Sequence, residues 1–406
     1  MKNLFKILLV VLVGFAFKSC SDDTDNTANT LEQAKTDFVA NYVNIVEASY
    51  SDALERTNEL KTAIDAFVAT PTQASFDAAK TAWLAAREPY GQTEAYRFYD
   101  GPIDGDDGEP EGYINAWPLD EALIDYVATG TGGEDTSDNR QNIVNNTAEY
   151  PTLTKAVIKE ISGYNDNESN VTLGYHAIEF LLWGQDSTDP SAKMAGQRPY
   201  TDYTTAANAD RRGQYLQIAT EILVEDLKSV ADQWKSGAAY RNFFLGLSKD
   251  DAIDKILTGA AKLSKGELAG ERMATAVENQ NQEDEHSCFS DNTHRDVFLN
   301  AKSINNIING TYVRTGGTVV SGTSLLDVLA LVNATEATAL TATAAEVMTK
   351  VQAISDAKSF DNLIIGETID DPTKPVMSAV ISLRKQGDEL AQAGKTITGK
   401  TIDPSV

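Results

Sequence analysis

The sequence predicts an all-α protein made of two helical bundles, and three observations support this fold class. Apolar residues recur at helical spacing in long stretches on both sides of a central connector. No stretch shows the sustained alternation of apolar and polar residues that is typical of a strand. The connector, Ser187 to Ala209, is polar and contains Asp189-Pro190 and Arg198-Pro199, which favours a domain boundary. We therefore predict an N-terminal domain over 31–190 and a C-terminal domain over 205–400.

Composition limits the possible functions. The chain has 406 residues, of which 42% are hydrophobic and 23% charged, as in globular proteins large enough for two domains. It carries 60 acidic and 34 basic residues, a formal charge of −26. Such an acidic surface repels phosphate backbones, so nucleic-acid binding is not expected. It suits cations, or simply keeps the protein in solution.

The first 19 residues have the features of a secretory signal peptide. Lys2 and Lys6 precede an apolar run, Ile7 to Phe17, that is too short to span a bilayer. Cys20 follows at the expected cleavage point, which resembles a bacterial lipoprotein signal, although Lys18 departs from the usual pattern. We therefore predict a lipid on Cys20, a flexible tether over 20–30, and a protein anchored to the outer membrane on its periplasmic or surface face.

Acylation of Cys20 would leave Cys288 as the one remaining thiol. An intramolecular disulfide is then impossible, and the fold must depend on its core and its polar contacts.

The N-terminal domain begins with two long predicted helices. The first runs from Leu31 to Val68, and the second from Ser75 to Arg97, where Pro89 should kink or divide it. The acidic loop Tyr99 to Pro118 lacks EF-hand spacing, which indicates a solvated turn rather than a calcium site. Short helices are predicted at 118–128, 138–145 and 152–162.

The stretch between Gly174 and Gly184 carries the first pair of candidate site residues. It is apolar almost all round, which predicts a buried helix, yet it contains His176 and Glu179. Their i, i+3 spacing places them on one helical face, and burying them without partners would be costly. The pair is either an internally satisfied structural contact or half of a ligand site.

The C-terminal domain is predicted to be helical almost throughout. Gly310 to Ser324 is rich in Gly and Thr and can hold a hairpin-like excursion. Helices are predicted at 210–234, 249–278, 295–308, 325–332, 336–355 and 376–391.

A second polar motif runs from Glu283 to Asp296 and holds the other two histidines. The three histidines of the chain therefore fall in two short segments. His, Glu and Asp suit iron, zinc or manganese as ligands, and polar groups between bundle helices commonly form sites. The side chains in this motif that can act as ligands are Glu283, Asp284, Glu285, His286, Ser287, Cys288, Asp291, His294 and Asp296.

Several familiar catalytic motifs are missing from the sequence. There is no His-Glu-x-x-His for a zincin, and His176-x-x-Glu179 reverses the Glu-x-x-His order of di-iron bundles. A phosphate-binding glycine loop, a Gly-x-Ser-x-Gly elbow and a Cys-x-x-Cys pair are also missing. Ser287 beside His286 is no triad signal, because adjacent residues rarely face each other.

These motifs together resemble the imelysin family, once grouped with peptidases. The resemblance depends on Gly174-x-His176-x-x-Glu179, on the run His286 to Asp296, on Gly266 to Met273, and on the segment Trp83 to Asp104. It implies two similar four-helix-bundle domains with a site at their interface, in envelope proteins tied to iron uptake. In the last two segments it points to Arg87, Glu94, Arg97, Asp104 and Glu267 as site residues.

The sequence therefore favours a protein that binds a metal, iron or another divalent ion, or a small metal-bearing ligand. His176, Glu179 and His286 are the predicted metal ligands, and envelope iron-transport components are potential partners. Catalysis is less expected than binding. Two alternatives stay open: a zinc metallopeptidase using His176 and Glu179, and a surface module that binds a peptide or other ligand without metal. The predicted ligand-binding residues are His176, Glu179, Arg87, Glu94, Arg97, Asp104, Glu267, Glu285, His286, Ser287, Asp291, His294 and Asp296.

Overall fold

Within the residues that the structure describes, the fold is helical, as predicted, apart from one short hairpin. The structure is a computed structural model that describes residues 22–105, 110–127, 142–164 and 167–405. Its helices are α1 (Asp22–Ala69), α2 (Gln73–Tyr90), α3 (Glu111–Ile114), α4 (Glu121–Ile124), α5 (Lys155–Ile161), α6 (Gly174–Trp183), α7 (Ala209–Trp234), α8 (Ala239–Gly246), α9 (Lys249–Lys262), α10 (Thr275–Asn279), α11 (Thr293–Asn309), α12 (Leu325–Val332), α13 (Ala334–Ala357), α14 (Phe360–Ile364) and α15 (Pro375–Thr398). A π-helical segment, Leu263–Ala274, joins α9 to α10. Short 3-10 turns lie at Glu94–Tyr96, Pro190–Ala192, Tyr200–Tyr203 and Gln282–Asp284.

Helix α1 begins earlier than the sequence predicts. It starts at Asp22, so residues 22–30, predicted as a flexible tether, form its first turns, and that prediction is wrong for them. Extending an existing helix adds one hydrogen bond for each residue fixed, which explains why polar residues can continue it. Cys20 and the predicted signal peptide lie outside the described residues.

Helix α2 is shorter than predicted. A capping box between Thr72 and Ser75 fixes its start, and it ends at Tyr90, one residue after Pro89. Proline interrupts the hydrogen-bond ladder of a helix, so the chain continues as a turn and the 3-10 turn Glu94–Tyr96 instead of reaching Arg97 as helix.

Two sets of long helices pack together within the described chain. In the first group, α1 packs on α2 and α7, and α6 packs on α2 and α7. In the second group, α15 packs on the π-helical segment, α9 and α13, while α11 packs on α13. Helix α7 lies with the first group in space, although the predicted boundary at 205 assigned it to the second domain. The division into two domains stays a prediction.

The predicted hairpin lies between α11 and α12 and packs mainly against α1. Strands β1 (Thr311–Val313) and β2 (Val319–Ser321) pair antiparallel, with Tyr312 opposite Val320. Three short helices are predicted before α6. Two of them, 118–128 and 152–162, are present as the shorter helices α4 and α5. In the third, 138–145, residues 138–141 lie outside the described residues and the rest is turn.

Candidate functional site

Helix α6 places the histidine motif in the interior, and Gly174 makes this placement possible. Gly174 has φ +81°, and a Cβ at this position would lie 2.6 Å from the carbonyl oxygen of Ile114. The ten residues of α6 are all buried, including His176 and Glu179, which have no exposed surface. The glycine therefore allows α6 to start directly against the C-terminal end of α3, where Ile114 lies.

We expect Gly174→Ala to lower the free energy of unfolding by about 2–3 kcal/mol, because it combines left-handed backbone strain with a steric clash. The matched control is Gly163→Ala, since Gly163 has φ +74° but open space around its Cβ position. That change should cost about 1–2 kcal/mol, the strain alone. Urea unfolding of both variants measures the difference. Equal losses would show that the contact with Ile114 does not constrain α6.

His176 and Glu179 form a buried hydrogen-bonded pair that also holds the second motif. His176 Nδ1 lies 2.9 Å from Glu179 Oε2. The other carboxylate oxygen, Glu179 Oε1, accepts hydrogen bonds from the Ser290 amide at 2.9 Å and the Ser290 hydroxyl at 2.6 Å. One carboxyl group thus joins α6 to the loop before α11.

Burial makes the neutral form of this pair favourable. It raises the pKa of Glu179 to about 8. It also lowers the pKa of His176 well below its usual value, with further lowering from His286 and Arg87. At pH 7 the protonated Glu179 therefore donates to His176 Nδ1, and His176 carries its proton on Nε2. This Nε2 has no hydrogen-bond partner among the described residues.

The second motif brings His286 against His176. Their ring centroids are 4.7 Å apart in an edge-on arrangement, and Trp117 packs 5.1 Å from the His176 ring. His286 Nδ1 is 3.6 Å from Asp296 Oδ2, too far for a hydrogen bond, and has no other partner in the described chain. Burial, with Arg272 nearby, lowers the pKa of His286 to about 4, so its imidazole is neutral at pH 7.

Asp296 is the charged centre behind the two histidines. It pairs with Arg87 at 3.1 Å and accepts a short hydrogen bond from the Ser287 hydroxyl. Burial alone would raise the pKa of Asp296, but the Arg87 guanidinium, together with His286 and the Ser287 hydroxyl, outweighs this effect and lowers it. Arg87 also donates to the side-chain oxygen of Asn115 and lies over the Tyr175 ring.

From Asn115 the polar contacts continue to the π-helical segment. Asn115 donates to Glu94 at 3.3 Å, and Glu94 accepts from Arg272 at 2.9 Å. Arg272 also donates to Glu267 at 2.6 Å and to Asn300 at 2.7 Å. Arg97 contacts both Glu94 and Glu267. These ion pairs connect the first group of helices with the second.

The network borders a cleft with a volume of about 780 Å³. Its walls come from α3 and the loop after it, from the segment between α5 and α6, and from the π-helical segment and His286. The charged lining comprises five carboxylates and two arginines: Glu111, Glu168, Glu267, Glu271, Asp284, Arg97 and Arg272. Trp117 supplies an aromatic surface beside them.

Most of the predicted site residues lie in this network, although whether they bind a ligand stays a prediction. The members that the contacts connect are His176, Glu179, Arg87, Glu94, Arg97, Glu267, His286, Ser287 and Asp296. Of these, Arg97, Glu267 and His286 line the cleft itself. His176 and Glu179 lie behind it.

Asp104 is part of a local turn instead of the cleft. Its carboxylate accepts hydrogen bonds from the backbone amides of Phe98, Tyr99 and Gly101 at 2.8–3.2 Å. These contacts fix the turn after the 3-10 helix, which accounts for an aspartate at this position.

Three further predicted residues, Glu285, Asp291 and His294, also lie outside the cleft lining. Glu285 is buried with neither carboxylate oxygen hydrogen-bonded to a described residue, and Asp186, Asp291 and Asp361 are its charged neighbours. Burial, together with Asp361 and Asp186, raises the pKa of Asp291 to about 7. His294 Nδ1 lies 2.7 Å from the backbone oxygen of Asp291, so its ring closes the turn before α11.

The predicted metal ligands do not fit a bare ion in this arrangement. His176 Nδ1 and both oxygens of Glu179 already have hydrogen-bond partners, and the proton on His176 Nε2 prevents that nitrogen from binding a metal. Of the three predicted ligands, this leaves the His286 ring. Within the described ranges, no three His, Cys, Asp or Glu side chains are grouped so that they could hold a metal ion. A metal bound here would need most of its ligands from another molecule.

The sequence analysis missed six residues of the network: Glu111, Asn115, Trp117, Arg272, Ser290 and Asn300. The first three lie in or beside the loop interpreted as a solvated turn. A tryptophan within a loop rich in Gly, Pro and acidic residues was the available signal, because a large aromatic side chain seldom stays in solvent. Arg272 lies in the Gly266–Met273 run, but only the fold shows which of its side chains face the cleft.

Comparisons with known proteins agree with the fold and with the motifs. The sequence model of the family Imelysin (Peptidase M75) matches residues 46–390. The chain is 24% identical over 276 residues to iron-regulated protein A of Synechococcus elongatus, a match that covers 66% of this chain and 62% of that protein. The chain thus spans less than two thirds of this relative's length.

Two crystal structures share the fold. One, from Parabacteroides distasonis, is described as an iron-regulated protein A precursor; it has a TM-score of 0.64 and 19% identity, over 90% of this chain and 96% of the other. The second is an imelysin-like protein from Psychrobacter arcticum, with a TM-score of 0.53 and 13% identity, over 92% and 98%. In the described part of the present chain, no helix is long and apolar enough to cross a membrane.

Proposed function

This chain belongs to the imelysin family, and we propose that it binds a small iron-bearing ligand in the cleft as part of iron acquisition in the cell envelope. The proposal depends mainly on the cleft. Its volume of about 780 Å³ is in the range of small-molecule sites, and fixed charged groups converge on it. The link to iron comes from the name of the relative, iron-regulated protein A.

The donor arrangement favours a metal carried by a ligand over a bare ion. Both arginines of the cleft, Arg272 and Arg97, already pair with Glu267. A complex that brings its own metal ligands needs only shape and charge from the protein. Carboxylates outnumber arginines in the lining, so a complex with net positive charge should be preferred.

The geometry gives less support to the two alternative functions. A zinc peptidase needs three protein ligands with an open fourth position, and the described side chains do not group in that way. A ligand without metal also fits the cleft by volume, so the binding experiment below includes it. Attachment to the envelope through Cys20 is proposed from the sequence alone.

We expect purified protein to bind ferrioxamine B, a cationic ferric hydroxamate complex, more tightly than ferric citrate, which is anionic. Isothermal titration calorimetry measures both, with the iron-free hydroxamate as a third ligand. Glu267→Gln should weaken ferrioxamine binding by roughly tenfold, since it removes one fixed negative charge from the cleft. The control Glu346→Gln changes a half-exposed carboxylate outside the cleft lining and should have no effect.

Saturable ferrioxamine binding that Glu267→Gln weakens and Glu346→Gln spares would support the proposal. No binding of any ferric complex would contradict it. Equal binding of the iron-free hydroxamate would instead favour the ligand without metal.

A further inference from the structure

Trp117 lines the cleft, and two other rings support its indole from inside the protein. The residue lies between α3 and α4 and is half-buried. The His176 ring centroid is 5.1 Å from that of Trp117 at an interplanar angle of 62°, and the Phe289 ring centroid is 5.7 Å away at 70°. Both contacts have the edge-to-face geometry that aromatic pairs prefer. The indole is thus held by rings from two elements, α6 and the loop before α11.

The two supporting rings belong to a continuous buried layer. On one side the His286 ring lies 4.7 Å from His176, and on the other the Phe180 ring lies 5.3 Å from Phe289, measured between centroids. His176, Phe180 and Phe289 have no exposed surface. Because protein interiors are close-packed, rings in such a layer have little freedom to move, and they form a firm base for Trp117.

Glu179 fixes both supports of Trp117 with a single carboxyl group. Its Oε2 lies 2.9 Å from His176 Nδ1, which constrains rotation of that ring. Its Oε1 accepts hydrogen bonds from the amide and the hydroxyl of Ser290, the residue directly after Phe289. Hydrogen bonds are directional, whereas apolar packing alone lets rings rotate and slide. The carboxyl group therefore orients the rings on both sides of the indole.

This arrangement gives a reason for a polar pair on an otherwise apolar helix. His176 and Glu179 are fully buried and do not line the cleft, so a ligand in the cleft does not reach them. Burying them costs free energy that an apolar pair would not cost. A binding site gains from such groups when they hold a contact residue in one geometry, because less conformational entropy is then lost on binding.

We infer that the His176–Glu179 pair positions Trp117, and that the indole of Trp117 receives the organic framework of the ligand. His176 and Glu179 are then positioning residues, and Trp117 selects ligands with an apolar surface, such as the aliphatic chains of a hydroxamate complex. Tryptophan suits this role because its ring is large, rigid and apolar. The inference rests on the proposed function and adds which part of the ligand the cleft recognises.

The positioning role is tested by fluorine NMR of protein labelled with 5-fluorotryptophan, with the Trp117 line assigned from Trp117→Phe. The wild type should give one narrow Trp117 line. His176→Gln keeps a polar group for Glu179 but removes the ring, so this line should broaden or split. The Trp234 line is the internal control and should stay unchanged, because Trp234 packs in a separate aromatic cluster. His176→Phe supplies a ring again and should restore the narrow line.

A narrow Trp117 line in folded His176→Gln protein would overturn the positioning role. Equal broadening of the Trp117 and Trp234 lines would also overturn it, since that result reports a general loss of packing. Should His176→Gln fail to fold, Phe289→Leu gives a second test. This variant removes the other supporting ring and should broaden the Trp117 line, and an unchanged line would again overturn the inference.

Ferrioxamine B titrations test the contact with the ligand. Trp117→Leu should weaken binding by roughly tenfold and Trp117→Phe by about threefold, since each removes apolar contact surface. The matched control is Trp183→Leu, which changes a tryptophan of α6 outside the cleft lining and should leave the affinity at the wild-type value. His176→Gln should weaken binding to the wild-type cleft but cause no further loss in Trp117→Leu protein, as expected when one residue acts through the other.

The outcomes separate this inference from the proposed function. Ferrioxamine binding that Trp117→Leu leaves unchanged would support the proposed function and overturn the inference. Equal losses from His176→Gln in the presence and absence of the indole would overturn the positioning role. No ferrioxamine binding, with a Trp117 line that still depends on His176, would contradict the proposed function and support the positioning role.

Discussion

Replacing Asp296 with alanine is expected to lower the free energy of unfolding by about 3–5 kcal/mol, the usual loss when one partner of a buried ion pair is removed. Asp296 and Arg87 are both only 1% exposed, and their contact distance is 3.1 Å. Without Asp296, the Arg87 charge stays buried with only the neutral Asn115 oxygen accepting its hydrogen bonds. The Ser287 hydroxyl also loses its acceptor. Urea unfolding at pH 7 measures the change.

The control for this prediction is Asp388→Ala. Asp388 also pairs with a basic residue, Lys265, at 2.6 Å, but its side chain is 59% exposed. Removing an exposed pair should cost no more than about 1 kcal/mol, because water solvates the remaining charge. If Asp296→Ala costs as little as Asp388→Ala, the Arg87–Asp296 pair does not stabilise the junction between the two motifs.

The long helices could be predicted from the sequence because their periodicity is strong. Helix α12 has the predicted bounds, α7 begins one residue earlier than predicted and ends as predicted, and α11 extends two residues beyond its predicted start and one beyond its predicted end. The π-helical register of Leu263–Ala274 was not predictable, since an α-helix and a π-helix share nearly the same apolar pattern. Packing against α15 and the Glu267–Arg272 pair distinguish them in the fold.

The site was predictable only in part, for a physical reason. His176 and Glu179 are conspicuous because charged and polar groups are costly on a buried helix. Proximity in sequence, in contrast, does not specify direction: Glu285 and His286 are adjacent, yet His286 lines the cleft and Glu285 faces other acidic groups. Asn115 and Trp117 were missed because their loop shows no periodicity, and only tertiary packing brings them to His176 and Arg87.

The second prediction with a large effect concerns the pH dependence of stability. As pH rises from about 4.5 to 8, the free energy of unfolding of the wild type should fall relative to that of Glu179→Gln. Burial raises the pKa of Glu179 from 4.5 to about 8. In this window the unfolded chain has lost the proton and the folded protein retains it, so stability decreases by about 1.4 kcal/mol per pH unit from this group. The total loss should reach roughly 3–5 kcal/mol at pH 8 and stay constant above it.

Glutamine is a close substitute for the protonated form of Glu179. Its amide oxygen can accept from the Ser290 amide and hydroxyl, and its NH₂ group can donate to His176 Nδ1. The variant should therefore match the wild type in stability near pH 5 and exceed it at pH 8. Urea unfolding at half-unit pH steps gives the difference curve, in which the titrations of all other groups largely cancel.

Glu346→Gln provides the matched control for this curve. Lys350 and Ser382 hold the pKa of Glu346 below its usual value, so this carboxylate titrates below the window. Its difference curve should be flat between pH 5 and 8. A flat curve for Glu179→Gln as well would mean that Glu179 is ionised at neutral pH. The pair would then consist of a carboxylate and a hydrogen-donating imidazole, and the carboxylate would be available to a cation after all.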